Sequence, residues 1–232
     1  MLDIRRADER LSNNRSWLDS KLTFSFAPHR DHRFMGFRAL RILNEDLVVP
    51  SAGFAAHQHQ DMEIVSYVLE GAVAHKDSLG SGSVIKPGEI QRMTAGTGIT
   101  HSEVNPSATE LAHFMQIWLL PETHGLKPGY EQKQMPAVSG EPQLDLIGSR
   151  DGRDGSVVIH QDVYMYRAIL RNASDLEVAL ARGRHAWVQV IRGTATVNRV
   201  NVVAGDGVAI SWESAVSLSG SPDAELLVFD LA

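Results

Sequence analysis

One short pattern occurs twice in the chain. Tyr67-Val68-Leu69-Glu70-Gly71-Ala72-Val73-Ala74 is matched by Gln189-Val190-Ile191-Arg192-Gly193-Thr194-Ala195-Thr196. Each is an apolar strand that enters a glycine turn and leaves as an alternating strand. Further on, Pro87-Gly88-Glu89 is matched by Ala204-Gly205-Asp206, a turn that starts the next strand. The offset is 122 residues at the first match and 117 at the second. Two matches in the same order point to a duplicated β domain. The 232 residues therefore divide into an N-terminal half, 1–125, a linker, 126–142, within a proline- and glycine-rich stretch, and a C-terminal half, 143–232.

The rest of the chain agrees with an all-β reading. Apolar or alternating segments at 37–43, 62–69, 72–75, 89–93 and 113–120 are separated by Gly, Asn, Asp or Pro. The second half continues with 143–147, 157–161, 164–170, 187–191, 194–198, 208–210 and 225–230. Strands of this length and spacing build sandwiches and small barrels. Helix is expected only as a turn or two at 12–18 and a short piece at 130–134.

Charge and composition narrow the function. Lys and Arg number 22 against 28 Asp and Glu, a net charge of −6. No basic run is present, so direct nucleic-acid binding is not expected. The absence of cysteine excludes thiol catalysis, disulfides and cysteine-ligated metal. The first residues, MLDIRRADERL, lack the apolar stretch of a signal peptide, and no run approaches the ~20 residues needed to span a bilayer. A cytoplasmic protein without membrane partners is expected.

Chemistry concentrates at two places. His57 and His59 stand two residues apart, and His101 and Glu103 repeat that spacing. Residues i and i+2 of a strand project to one face. Two such pairs on neighbouring strands facing a barrel interior would gather three imidazoles and a carboxylate around one point, a ligand set for a divalent transition metal. Glu63 keeps the same parity and is a second carboxylate candidate.

The spacing of His57, His59, Glu63 and Gly71, then Pro87-Gly88, then His101 and Asn105 resembles the two cupin motifs. The flanking segments Trp17-Leu18-Asp19-Ser20, Thr23-Phe24-Ser25-Phe26, Met35-Gly36-Phe37, Asp61-Met62-Glu63 and Gly96-Thr97-Gly98-Ile99-Thr100-His101-Ser102-Glu103 resemble the pirin family, and its bacterial quercetin 2,3-dioxygenase-type members most. The resemblance implies a bicupin, two tandem β-barrels of double-stranded β-helix type, with metal in the N-terminal barrel only. It implies His57, His59, His101 and Glu103 as ligands, with Glu63 behind them or lining the pocket. Iron is the foremost expectation for the ion, with copper, nickel, cobalt, manganese or zinc fitting the same ligands.

The activity implied is dioxygenase cleavage of a flavonol ring with release of carbon monoxide, Glu103 serving as general base toward a flavonoid and dioxygen as co-substrate. The alternative is a metal-linked regulatory module acting through a protein partner. Shifted by the repeat offsets, the ligand positions fall on Ala179, Ala181, Leu218 and Gly220, none able to hold a metal. Trp17, Phe24, Phe26 and Trp118 are candidates for a flavonoid pocket, while His160 and His185 read as surface or packing residues.

Overall fold

A computed structural model describes residues 1–171 and 175–232. In chain order its strands begin with β1 (Leu2–Arg5), β2 (Leu11–Arg15), β3 (Leu18–Leu22), β4 (Leu40–Val48), β5 (Gly53–His59) and β6 (Glu63–Glu70). Next come β7 (Val73–Asp77), β8 (Gly82–Ile85), β9 (Glu89–Thr94), β10 (Ile99–Val104), β11 (Ala112–Leu119) and β12 (Gly129–Gln134). They continue as β13 (Gln143–Ser149), β14 (Val157–Val158), β15 (Val163–Ile169), β16 (Asp175–Ala179) and β17 (His185–Arg192). The last are β18 (Thr194–Val197), β19 (Val200–Val203), β20 (Gly207–Ser211), β21 (Ala215–Gly220) and β22 (Glu225–Leu231). Only two short 3-10 turns interrupt them among the described residues, and no helix is long and apolar enough to cross a membrane.

The chain forms two compact units. In the N-terminal unit the large sheet runs β12-β9-β6-β11-β4-β3-β2 and the small one β5-β10-β7-β8. In the C-terminal unit the large sheet contains β1-β20-β17-β22-β15-β13 in order and the small one β16-β21-β18-β19. Apart from β2 at one edge, the two orders match strand for strand, the arrangement of a bicupin. The repeated glycines match as well. Gly71 and Gly193 have φ of 70° and 76°, and Gly88 and Gly205 both 88°, values that favour a residue without Cβ.

Three expectations change. The boundary at 1–125 is too simple, because Met1–Arg10 belong to the C-terminal unit, where β1 pairs with β20. The linker 126–142 contains β12, which covers the edge of β9 in the N-terminal unit. The helical readings at 12–18 and 130–134 give way to β2, β3 and β12. Short polar segments on sheet edges carry little periodicity of their own, and cross-strand pairing decides their conformation.

One turn supports the site from outside. Gly96 has φ 47°, and a Cβ there would overlap the Leu126 carbonyl, which accepts a hydrogen bond from the Thr97 N–H at 2.8 Å. Gly96→Ala is expected to destabilise the N-terminal unit by about 2 kcal/mol or more. The urea midpoint measures it, and an unchanged midpoint would contradict the role given to this turn.

Candidate metal centre

The interior of the N-terminal unit is layered along its strands. Leu18, Val48, Val68, Val73, Ile85, Ala112 and Phe114 form one apolar cluster, and Ile64, Met93, Ala95 and Ile99 another. On β6, Ser66 lies between Ile64 and Val68; on β11, Gln116 lies between Phe114 and Trp118. Asp46 on β4 faces Phe114 across the ladder. Ser66, Gln116 and Asp46 are all buried. Burying such groups is costly unless they are hydrogen-bonded, and each has a partner: Ser66 and Gln116 donate to Glu103, and Ser20 donates to Asp46.

The same register positions in the C-terminal unit are apolar. The cross-strand pair Ser66–Gln116 corresponds to Val188–Val228, and Asp46 to Ala168. The ligand positions follow suit. β10 pairs with β5 so that His101 opposes His57 and Ile99 opposes His59. On β21 and β16 the inward-facing pairs are Leu218–Leu176 and Val216–Val178. The inward positions of β16 are thus Leu176 and Val178 rather than the exposed Ala179, because the connection after β16 is longer than the one after β5. Across to β18 the register differs by two from the repeat offset: His75 faces Glu103, and its equivalent Val197 faces Leu218, so Leu218 stands at the position of Glu103 rather than of His101. Val178, Val188, Leu218 and Val228 belong to one continuous apolar core.

In the N-terminal unit the three histidines converge. A nitrogen from each of His57, His59 and His101 lies within 4.8 Å of the others. The Nε2 atoms of His101 and His57 are 3.1 Å apart. His57 Nδ1 lies 2.7 Å from the Ala55 carbonyl, which fixes the proton on Nδ1 and leaves the Nε2 lone pair free. His59 Nε2 is buried and has no hydrogen-bond partner. Burial, then the neighbouring His57, lowers the pKa of His59 to about 4. Burial, then His57, His59 and His75, lowers His101 to about 3. Three imidazole nitrogens gathered this closely suit a divalent cation.

The two carboxylates part company. Glu103 stays with the cluster, its carboxylate within 4.8 Å of His101 and His75 nitrogens. A bulge between His101 and Glu103 brings Glu103 opposite Phe54, while Ser66 and Gln116 hold its oxygens. Burial dominates its pKa and raises it to about 7. Glu63 lies apart from the histidines. Its Oε2 accepts from the His160 N–H at 3.2 Å and lies 3.2 Å from His160 Nδ1. Parity does not carry from His59 to Glu63, because the chain turns at Asp61, φ 48°, and enters the other sheet. His160, expected at the surface or in packing, is thus the partner of a buried carboxylate.

Beside the histidines opens a cleft of about 700 Å³ lined by Trp17, Phe26, Phe54, Trp118, His57 and His59. Asn44, Asp46, Ser20 and Gln116 supply its polar lining. Trp118 packs edge-on to His59 and to Phe26, and Trp17 edge-on to Phe54. Phe24 is not in this lining; it is buried at 1% exposure. Asp46, Gln116 and Phe54 escaped the sequence reading. The signal for Asp46 was present: Asn44 and Asp46 share a face of a strand that is otherwise largely apolar.

A family model described as Pirin matches residues 4–119, and one described as Quercetinase C-terminal cupin domain matches residues 146–231. A quercetin 2,3-dioxygenase from Escherichia coli K12 is 47% identical over all of this chain and 99% of that protein. A pirin-like protein of Caulobacter vibrioides is 33% identical over the full length of both. The crystal structure of the bacterial pirin YhhW from Escherichia coli in complex with nickel(II) is 46% identical, covers 100% of this chain and 99% of its own, and has a TM-score of 0.94.

Proposed function

The chain belongs to the pirin family, and from that premise we propose that it is a metal-dependent dioxygenase that opens the heterocyclic ring of a flavonol of the quercetin type and releases carbon monoxide. The observation that carries this reading is the convergence of His57, His59 and His101 at the wall of an aromatic cleft. These residues would hold the ion, with Glu103 as the carboxylate. Bound there, a divalent transition metal acidifies a coordinated enol hydroxyl and supplies the redox partner for dioxygen. Iron remains our first choice of ion, and the nickel complex of the relative supports a site that also accepts other divalent metals.

The protein's own groups do the rest. Trp17, Phe26, Phe54 and Trp118 offer aromatic faces and edges to a planar polycyclic substrate and exclude water from it. Asp46, Asn44 and Gln116 meet its peripheral hydroxyls. Glu103 takes the hydroxyl proton as general base. Ser66 and Gln116 orient it by donating to its two oxygens.

Purified protein reconstituted with Fe(II) or Ni(II) should bleach quercetin with stoichiometric carbon monoxide. Glu103→Gln should cut turnover by roughly 10²–10⁴-fold while the variant still folds. No turnover by fully metallated wild-type protein defeats the dioxygenase reading; equal activity in the variant removes the role given to Glu103.

A further inference from the structure

A fourth histidine stands beside this site with no role assigned to it. His75 on β7 is 1% exposed and lies directly opposite Glu103 on β10. Its Nε2 is 3.0 Å from Asp77 Oδ2. Asp77 is fixed in turn, its Oδ1 accepting the N–H groups of Leu79 at 2.9 Å and Ser81 at 3.0 Å. A carboxylate that accepts the Nε2 proton leaves the lone pair of a neutral ring on Nδ1, the orienting arrangement usual behind metal-ligating histidines. His75 Nδ1 is buried and has no hydrogen-bond partner. The ring is braced by Tyr130 at 4.9 Å between centroids, and Tyr130 is bonded to Ser83 and Gln132.

The buried ring has potential co-ligands beside it. Ligand atoms of His75, His101 and Glu103 lie within 4.8 Å of one another. All three residues are buried, whereas His57 and His59 are partly exposed beside the cleft. We propose that His75, oriented by Asp77, is a metal ligand, and that His75, His101 and Glu103 form a second, deeper station for the ion held by His57, His59 and His101. The two stations share His101 and so take one ion between them. The outer station meets the substrate cleft; the inner one is sealed from solvent, and Glu103 is the carboxylate available to both. The proposal rests on the three-histidine site above but adds a separate ligand set.

The test is Ni(II) titration of the full-length, metal-stripped protein against a competing chelator. It compares wild type, His57→Ala, His75→Phe and the double variant. Phenylalanine keeps a ring against Tyr130 and removes Nδ1, and thermal melting checks that each variant folds. Wild type should bind one ion per chain. His57→Ala should still bind one, weakened roughly tenfold or more, and adding His75→Phe should weaken it by roughly a further hundredfold. Equal binding by His57→Ala and the double variant overturns the inner station, because His59 and His101 alone would then explain the residue. Loss of all binding in His57→Ala overturns it too and leaves the reading of the outer station standing. Wild-type protein that binds no Ni(II) defeats both readings.

Discussion

His101→Ala is expected to abolish metal binding and bring quercetin turnover to background, a loss of roughly 10³-fold or more. His101 opposes His57 in the β5–β10 register, and its ring lies 4.5 Å from His57, 4.9 Å from His59 and 5.3 Å from His75 between centroids. It is common to both groups of potential ligands. Its loss therefore leaves at most two histidines on either side. The fold should persist, because metal-free imidazoles facing one another gain nothing from the contact and site residues are often held at a cost to stability. Metal raises the stability of a protein that binds it only when folded, by about 2.7 kcal/mol at a hundredfold excess over Kd. Added Ni(II) should accordingly raise the melting temperature of wild type and leave that of His101→Ala unchanged. A variant that retains one tightly bound ion would refute the assignment of His101 as the shared ligand.

The second large effect concerns Asp46. Burial is the main cause that raises its pKa from 3.8 to about 7; Glu45 adds to this, while Ser20 and His113 oppose it. Between these values the folded state holds a proton that the unfolded chain has released. Stability from this group is complete below pH 4 and is lost as pH rises through 7. For metal-free protein the decline from pH 5 to pH 8 should be on the order of 3 kcal/mol. Glu103 adds to the slope, since its pKa is raised to about 7, by burial first and also by Asp46. Asp46→Asn keeps an acceptor for the Ser20 hydroxyl and removes the titration. It should flatten the profile and stabilise the protein at pH 8. Denaturant unfolding at several pH values measures this, and a variant as pH-dependent as wild type would refute it. The same substitution should weaken quercetin binding if Asp46 meets a substrate hydroxyl in the cleft.

Legibility in the sequence followed the kind of strand. Apolar strands such as β6, β11, β17 and β22 are visible because both of their faces are buried. β5 and β10, which carry the histidines, look like polar loops, because the side chains they turn inward include imidazoles and a carboxylate rather than apolar groups alone. Their motif spacing identified them, not their hydropathy. The strand β12 was hidden for another reason: it covers a sheet edge and is half-buried along most of its length. Nothing in its own residues marks it until β9 is beside it.

Spacing along a strand determined the rest of what could be read without a structure. A period of two residues is enough to put His57 with His59 and His101 with Glu103, and two glycine turns at matching positions are enough to announce a duplicated barrel. Only the tertiary structure decided which carboxylate approaches which imidazole. The turn at Asp61 carries Glu63 to the other sheet and to His160; the bulge in β10 gives Glu103 to Ser66, Gln116 and His75. It alone decided why one barrel is equipped and its twin is not. The layer of Ser66, Gln116 and Asp46 that can hold buried carboxyl groups is valine and alanine in the second unit. Parity is a local property that the next residue but one fixes. The company a buried polar group keeps depends on strands tens of residues away, and only pairing across the sheets brings them together.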